Sequence, residues 1–142
     1  MIRRANPADE STIARVHAEA RDEMTYLPRI PDDVRWTLGR RIMEWSEVWI
    51  DEADDGSCGF FGLREDVVTH LYVDPAAQNR GIGTALLDHA KSLRPDRLEL
   101  WVFQKNDGAR RFYERHGFRL VRLTDGADNM EKEPDALYEW RP

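Results

Sequence analysis

The chain has 142 residues, with 27 acidic against 21 basic side chains and a net charge of -6, a balance that argues against general nucleic-acid binding. This length suits one domain with a real core, no apolar run approaches the roughly 20 residues needed to cross a bilayer, and Met-Ile-Arg-Arg-Ala-Asn-Pro at the start lacks an apolar signal core. Cys58 is the only cysteine, which excludes an internal disulfide, so a cytoplasmic protein without membrane or nucleic-acid partners is expected.

Ile2 to Ala5 reads as a short strand. At Asn6-Pro7-Ala8-Asp9 a helix begins: asparagine caps, proline suits the first turn, and Asp9 favours the positive end. Ile13, Val16, Ala20 and Met24 continue it at helical spacing, with His17 beside the stripe as a packed or surface histidine. Leu27-Pro28-Arg29-Ile30-Pro31 breaks the chain. Asp32 is then expected to cap a second helix presenting Val34, Leu38, Ile42 and Trp45 on one face. Glu47 to Glu52, Cys58 to Leu63 and Val67 to Val73 form an antiparallel meander, turning at Asp54-Asp55-Gly56 and Arg64-Glu65-Asp66.

Leu71-Tyr72-Val73 is β-prone and Pro75 ends it. Gln78, Asn79, Arg80, Gly81, Ile82, Gly83 and Thr84 follow at the start of a helix marked by Ile82, Leu86, Ala90 and Leu93. A helix start presents unpaired N–H groups and partial positive charge, which suits phosphate. Gly81 and Gly83 would let an anion approach the backbone, Arg80 adds charge, and Thr84 adds a donor. Leu98 to Phe103 is a strand, joined to the one before it by a helix and so parallel to it through a right-handed crossover. Asn106 or Asp107 caps a helix carrying Ala109, Phe112, Tyr113 and His116, and Gly117 ends it. Phe118 to Leu123 and Leu137 to Trp140 are the last strands, flanking a polar segment. The class is α/β (α+β): a mixed, mostly antiparallel sheet of six to seven strands with about four helices.

The loop is not a G-x-x-x-x-G-K-[ST] phosphate loop, and Gly81-x-Gly83 lacks the third glycine of the dinucleotide fingerprint. Val-Asp-Pro followed by Gln78-x-x-Gly81-x-Gly83 instead resembles the acyl-CoA pyrophosphate loop of the GNAT (GCN5-related) N-acetyltransferase superfamily. Asn106-x-x-Ala109-x-x-Phe112-Tyr113-x-x-x-Gly117-Phe118 resembles that family's second block. The resemblance runs over residues 59–121 and implies a single acetyltransferase domain over residues 1–142, with acetyl-CoA as co-substrate, no metal, and a primary amine of a small molecule or protein as acceptor.

By that resemblance, residues 78–84 hold the pyrophosphate, and Leu71, Tyr72 and Val73 pair with the pantetheine where two parallel strands splay. Asn106 bonds the same arm, a role that coexists with helix capping. Tyr113 occupies the position of the acid that protonates the leaving thiolate. A lysine-like amine is only about one part in 10³ free base at pH 7, so a general base would help. A common glutamate position on the fifth strand carries Trp101 here, which leaves Glu99, then His70, then bulk water as the bases. Tyr26, Trp36 and Trp101 are read either as acceptor contacts or as ordinary aromatic packing. Acidic residues at Asp32, Asp33, Asp125, Asp128, Glu131 and Glu133 favour a cationic acceptor. Two other classes stay open, a non-catalytic acyl-CoA-binding sensor and a phosphate binder outside the family. A homodimer through an exposed edge of the final strand is an assembly the sequence allows.

Overall fold

The computed structural model describes residues 1–142. Seven strands form one sheet: β1 (Ile2–Arg4), β2 (Glu47–Glu52), β3 (Cys58–Arg64), β4 (Val67–Val73), β5 (Leu98–Phe103), β6 (Arg119–Leu123) and β7 (Asp135–Trp140). Five helices accompany them: α1 (Glu10–Asp22), α2 (Asp32–Arg35), α3 (Leu38–Trp45), α4 (Ile82–Leu93) and α5 (Asp107–Arg115). The sheet order is β1-β2-β3-β4-β5-β7-β6, and every neighbouring pair is antiparallel except β4 with β5.

Local chemistry explains the first helix. The Asn6 side chain accepts from Ala8 N–H at 2.9 Å, and the Asp9 carboxylate accepts from Asn6 N–H at 2.8 Å, a reciprocal cap over a short 3-10 turn at Pro7–Asp9. Arg3 clamps the same carboxylate at 2.8 and 2.9 Å and ties the turn to β1. The second expected helix is two. Asp32 lies inside the first turn of α2, after Pro31, and makes no cap. The guanidinium of Arg35 is drawn onto Asp22 at 2.7 and 2.8 Å, and the chain bends through Trp36 and Thr37 before α3 begins. Trp45 therefore leaves the expected buried stripe and is 54% exposed.

β3 is buried on both faces because helices cover each side of it. On one side α4 and α5 pack Leu86, Leu87, Ala90 and Tyr113 against Phe61, Leu63, Leu98 and Leu100. On the other, α1 and α3 pack Ile13, Val16 and Ile42 against Val48, Ile50 and Phe60. α1 and α3 approach closely enough that a Cβ on Gly39 would stand 2.0 Å from the Glu10 carbonyl oxygen.

Two irregularities shape the centre. Gly62 pairs with His70 and Leu63 with Val68, so Thr69 is the extra residue of a bulge. β4 pairs with β5 only at Val67–Glu99 and Val68–Leu100, and beyond that point the two strands part. The final strand is longer than expected, starting at Asp135, and it is internal: β7 lies between β5 and β6. The sheet edges are β1 and β6, so the edge expected on the final strand is absent.

Candidate active site

Where β4 and β5 separate, a cavity of about 870 Å³ opens between them and runs to the starts of α4 and α5. Leu71, Tyr72 and Val73 line it from β4, and their side toward β5 has no ladder partner. Gln78, Asn79, Gly81, Gly83 and Thr84 line it from the loop, and Asn106 and Tyr113 from α5. The structure thus brings together most of the residues assigned to the carrier.

Gly81 is the N-cap of α4 at φ +83° and provides no side-chain cap, so the first-turn N–H groups are left for another acceptor. Asn79 is also left-handed, at φ +66°. A Cβ on Gly81 would meet nothing within 4 Å, and one on Gly83 would only touch Phe112 and Val73. Backbone is therefore exposed toward the cavity, as an anion needs.

Three expectations for this loop change. Arg80 points away and pairs with Asp55 at 2.8 Å, so its charge is not aimed at the cavity. The Ile82 side chain packs over Gly59 and into the core instead of lining the cavity. The Thr84 hydroxyl is 3.1 Å from His116 Nε2, while His116 Nδ1 is 2.7 Å from the Phe112 carbonyl. A carbonyl only accepts, so Nδ1 is the ring nitrogen that donates to Phe112, and the Thr84 hydroxyl is engaged by Nε2. The cationic lining comes from Lys105 and Arg115, neither singled out in the sequence. Their place on either side of the Asn-x-x-Ala block was the available signal.

Asn106 caps α5 by accepting from Ala109 N–H at 3.2 Å. Tyr113 packs in the core with its ring against Phe112 and Phe118 and still reaches the cavity. Burial, and then the neighbouring Tyr72, push its phenol well above the usual range, so it stays protonated at neutral pH.

A second cavity of about 720 Å³ lies on the α1 side. It shares Thr69, His70, Tyr72, Trp101, Val102 and Phe103 with the first, so the two meet where the strands part. Trp45, His17 and Arg21 line it from the helices, and Arg122, Thr124, Asp125, Asp128 and Glu131 from β6 and the segment after it. Asp32, Asp33 and Glu133 do not line it.

His70 stands at the junction. Its Nδ1 is 3.0 Å from Thr69 Oγ1, which is 2.7 Å from Ser46 Oγ. Gly62 makes room for this arrangement, since a Cβ there would be 2.6 Å from Thr69 Oγ1. Burial lowers His70 to about 4, and burial with the nearby His70 and arginine charges lowers His17 to about 3, so both rings are neutral at pH 7.

The structure does not bring Glu99 to either cavity. Its carboxylate is bound by Arg97, which also holds Asp66 and Glu139, at the end of the sheet where β4 and β5 are still paired. Trp36 lines neither cavity and is 59% exposed beside Arg35. Tyr26 lines the first cavity and not the second. Trp101 lines both.

Comparison with known proteins agrees with this geometry. An acetyltransferase (GNAT) domain family matches residues 44–120, more than half of the chain. Peptidyl-lysine N-acetyltransferase YiaC of Escherichia coli (strain K12) is 38% identical over 74 residues, covering 51% of this chain and 50% of that protein. Mycothiol acetyltransferase of Mycobacteroides abscessus is 33% identical over 147 residues, covering 85% of this chain and 45% of that protein. The chain spans about half the length of these curated relatives, or less. The solution structure of apo YjaB from Escherichia coli superposes with a TM-score of 0.80 at 22% identity, covering 99% of this chain and 96% of that one, which shows a common fold. No helix is long and apolar enough to cross a membrane. With the splayed strands, the uncapped helix start and the matched stretch all in the same region of the molecule, the chain belongs to the GNAT acetyltransferase family.

Proposed function

We propose that residues 1–142 act as one domain that moves an acetyl group from acetyl-CoA to a primary amine, by direct attack with both substrates bound. The observation that carries this reading is the meeting of two cavities at His70 and Tyr72: one is lined by exposed backbone suited to a diphosphate, and the other is open to an acceptor. Acetyl-CoA, when bound, supplies an acyl group on a thioester. The first-turn N–H groups of α4 hold its diphosphate, with Lys105 and Arg115 adding charge. The open side of Leu71 to Val73 offers backbone donors and acceptors to an arm laid along it, and a donor there also polarises a carbonyl.

Residues at the junction orient the amine, and orientation alone supplies much of the rate. As the carbon–nitrogen bond forms and the carbon–sulfur bond breaks, the amine nitrogen becomes acidic. His70, uncharged at the junction of the two cavities, takes that proton on its way to solvent. Tyr113 gives its phenolic proton to the departing sulfur and regains one from solvent, leaving amide and free thiol. The Thr69 hydroxyl fixes the ring of His70.

The test is a panel of primary amines with acetyl-CoA, read by release of free thiol, in the natural protein and in Tyr113→Phe. Turnover with at least one amine is expected, with kcat lowered on the order of a hundredfold in the variant and acetyl-CoA binding retained. Binding of acetyl-CoA without turnover on any amine would return the protein to a non-catalytic sensor. An unchanged kcat across pH in Tyr113→Phe would remove that residue from the chemistry.

A further inference from the structure

We propose that the acceptor taken by the second cavity is a zwitterion of the amino-acid class, its carboxylate held by Arg21 and its amine drawn toward Glu131. This rests on the acetyl-transfer reading above and names the acceptor.

Arg21 lies on α1 one turn beyond His17, and both face the second cavity. The chain has six more acidic than basic side chains (27 against 21), so carboxylates are plentiful. Even so, Arg21 has no carboxylate partner within the protein, and its Nε is sealed from solvent with nothing to donate to. Its charge is felt by His17, Tyr26 and Tyr72, where it opposes protonation of the imidazole and favours ionisation of the phenols. Arg21 thus shares the second cavity with His17 and Tyr72.

Glu131 is the counterpart. It lines the same cavity, its Oε2 is sealed from solvent, and no donor reaches it. Glu131 acts on Tyr72 in the sense opposite to Arg21. An unpaired cation and an unpaired carboxylate therefore line one cavity and act on Tyr72 in opposite senses, and the two do not pair with each other. Each of the two half-buried side chains thus keeps one sealed atom without a partner, which is costly, while the rest of its charged group is open to the cavity. A bound molecule that carries both charges matches both.

Other acceptors match one group at most. A polyamine satisfies Glu131 and is repelled by Arg21. An amine whose acid is masked as an amide leaves the guanidinium facing a neutral group. A carboxylate without an amine has no nucleophile. Arg122, stacked over Trp101 at 5.4 Å, adds a second cation to the lining, and Asp125, Asp128 and Asp135 line the same cavity.

The experiment compares the twenty amino acids with their carboxamides and decarboxylated amines as acceptors for acetyl-CoA, read as kcat/KM from thiol release. For at least one amino acid the free acid should exceed its carboxamide by about tenfold or more, the range of a charge-assisted bidentate contact. That ratio should fall to near one in Arg21→Met and recover in part in Arg21→Lys, which keeps the charge. Carboxamides at parity with acids, or an unaltered ratio in Arg21→Met, overturn the inference. Turnover confined to amines without a carboxylate overturns it while leaving acetyl transfer standing. Absence of turnover with every amine, in protein that binds acetyl-CoA by calorimetry, overturns both.

Discussion

Replacing Gly81 separates the conformation of the loop from its ligand. The residue sits at φ +83°, and an added Cβ would meet no protein atom within 4 Å. Any stability cost is therefore backbone strain, about 1–2 kcal/mol for an ordinary L-residue. Valine, branched at Cβ, should cost the full amount and lower Tm by roughly 4 °C per kcal/mol in a domain of this size. Asparagine tolerates the left-handed region, as Asn79 already does at φ +66°, and should cost well under about 1 kcal/mol. Both variants place a side chain where the helix start opens on the cavity. If a diphosphate binds there, each displaced N–H contact to a charged oxygen is worth about 1.5–3 kcal/mol, so Kd for acetyl-CoA should rise tenfold to a hundredfold or more. Calorimetry with acetyl-CoA, beside thermal melts, reads both quantities. Gly81→Asn with an unchanged melt and an unchanged Kd would refute the placement of the carrier.

Two further outcomes follow from packing and burial. His70 and His17 are neutral in the folded protein because their pKa values fall to about 4 and about 3, whereas the unfolded chain protonates them near 6.5. The unfolded state thus binds more protons below pH 6.5. Their contribution to stability is complete above that pH and is lost as pH falls toward 4, by about 1.4 kcal/mol per unit for each ring. Urea titrations at pH 7.5 and 5 should show the loss, and His17→Gln should shrink it; equal slopes in both proteins would refute the burial argument. Gly39→Ala sets helix propensity, about 1 kcal/mol in favour of alanine, against a Cβ 2.0 Å from the Glu10 carbonyl oxygen. Backbone cannot yield cheaply there, so net destabilisation of about 1–2 kcal/mol is expected, and a raised denaturation midpoint would show that α1 and α3 separate freely.

Features written in neighbouring residues were legible in the sequence. The Asn6–Asp9 cap, the strand at Glu47–Glu52, the Asn106 cap and the helix from Ile82 to Leu93 depend on contacts within a few residues, and they stand where the pattern put them. That the loop at residues 78–84 and the start of α5 would meet at one cavity was legible for the same reason, since both are local motifs. Choices of distant partner were not. Arg80 turned to Asp55, 25 residues earlier, and Arg35 bent the second helix by finding Asp22. Glu99 shares the expected strand, but Arg97 binds it where β4 and β5 have not yet parted. The bulge at Thr69 depends on register with β3, which sequence periodicity does not encode. Arg21 and Glu131 are ordinary surface residues in their own segments, and only the fold brings them to one cavity.

The placement of β7 governs the order of assembly during synthesis. β2, β3 and β4 pair with the strands next to them in the chain, and β1 joins β2, so these four can form as the polypeptide emerges. β5 meets β6 only through β7, which follows both in the chain, so its outer backbone stays bare until residues 135–140 appear. The wall holding Arg122 and Glu131 has no support before then. A nascent chain thus completes the walls of the first cavity before those of the second, and the outer backbone of β5 is open to misassociation until β7 is made.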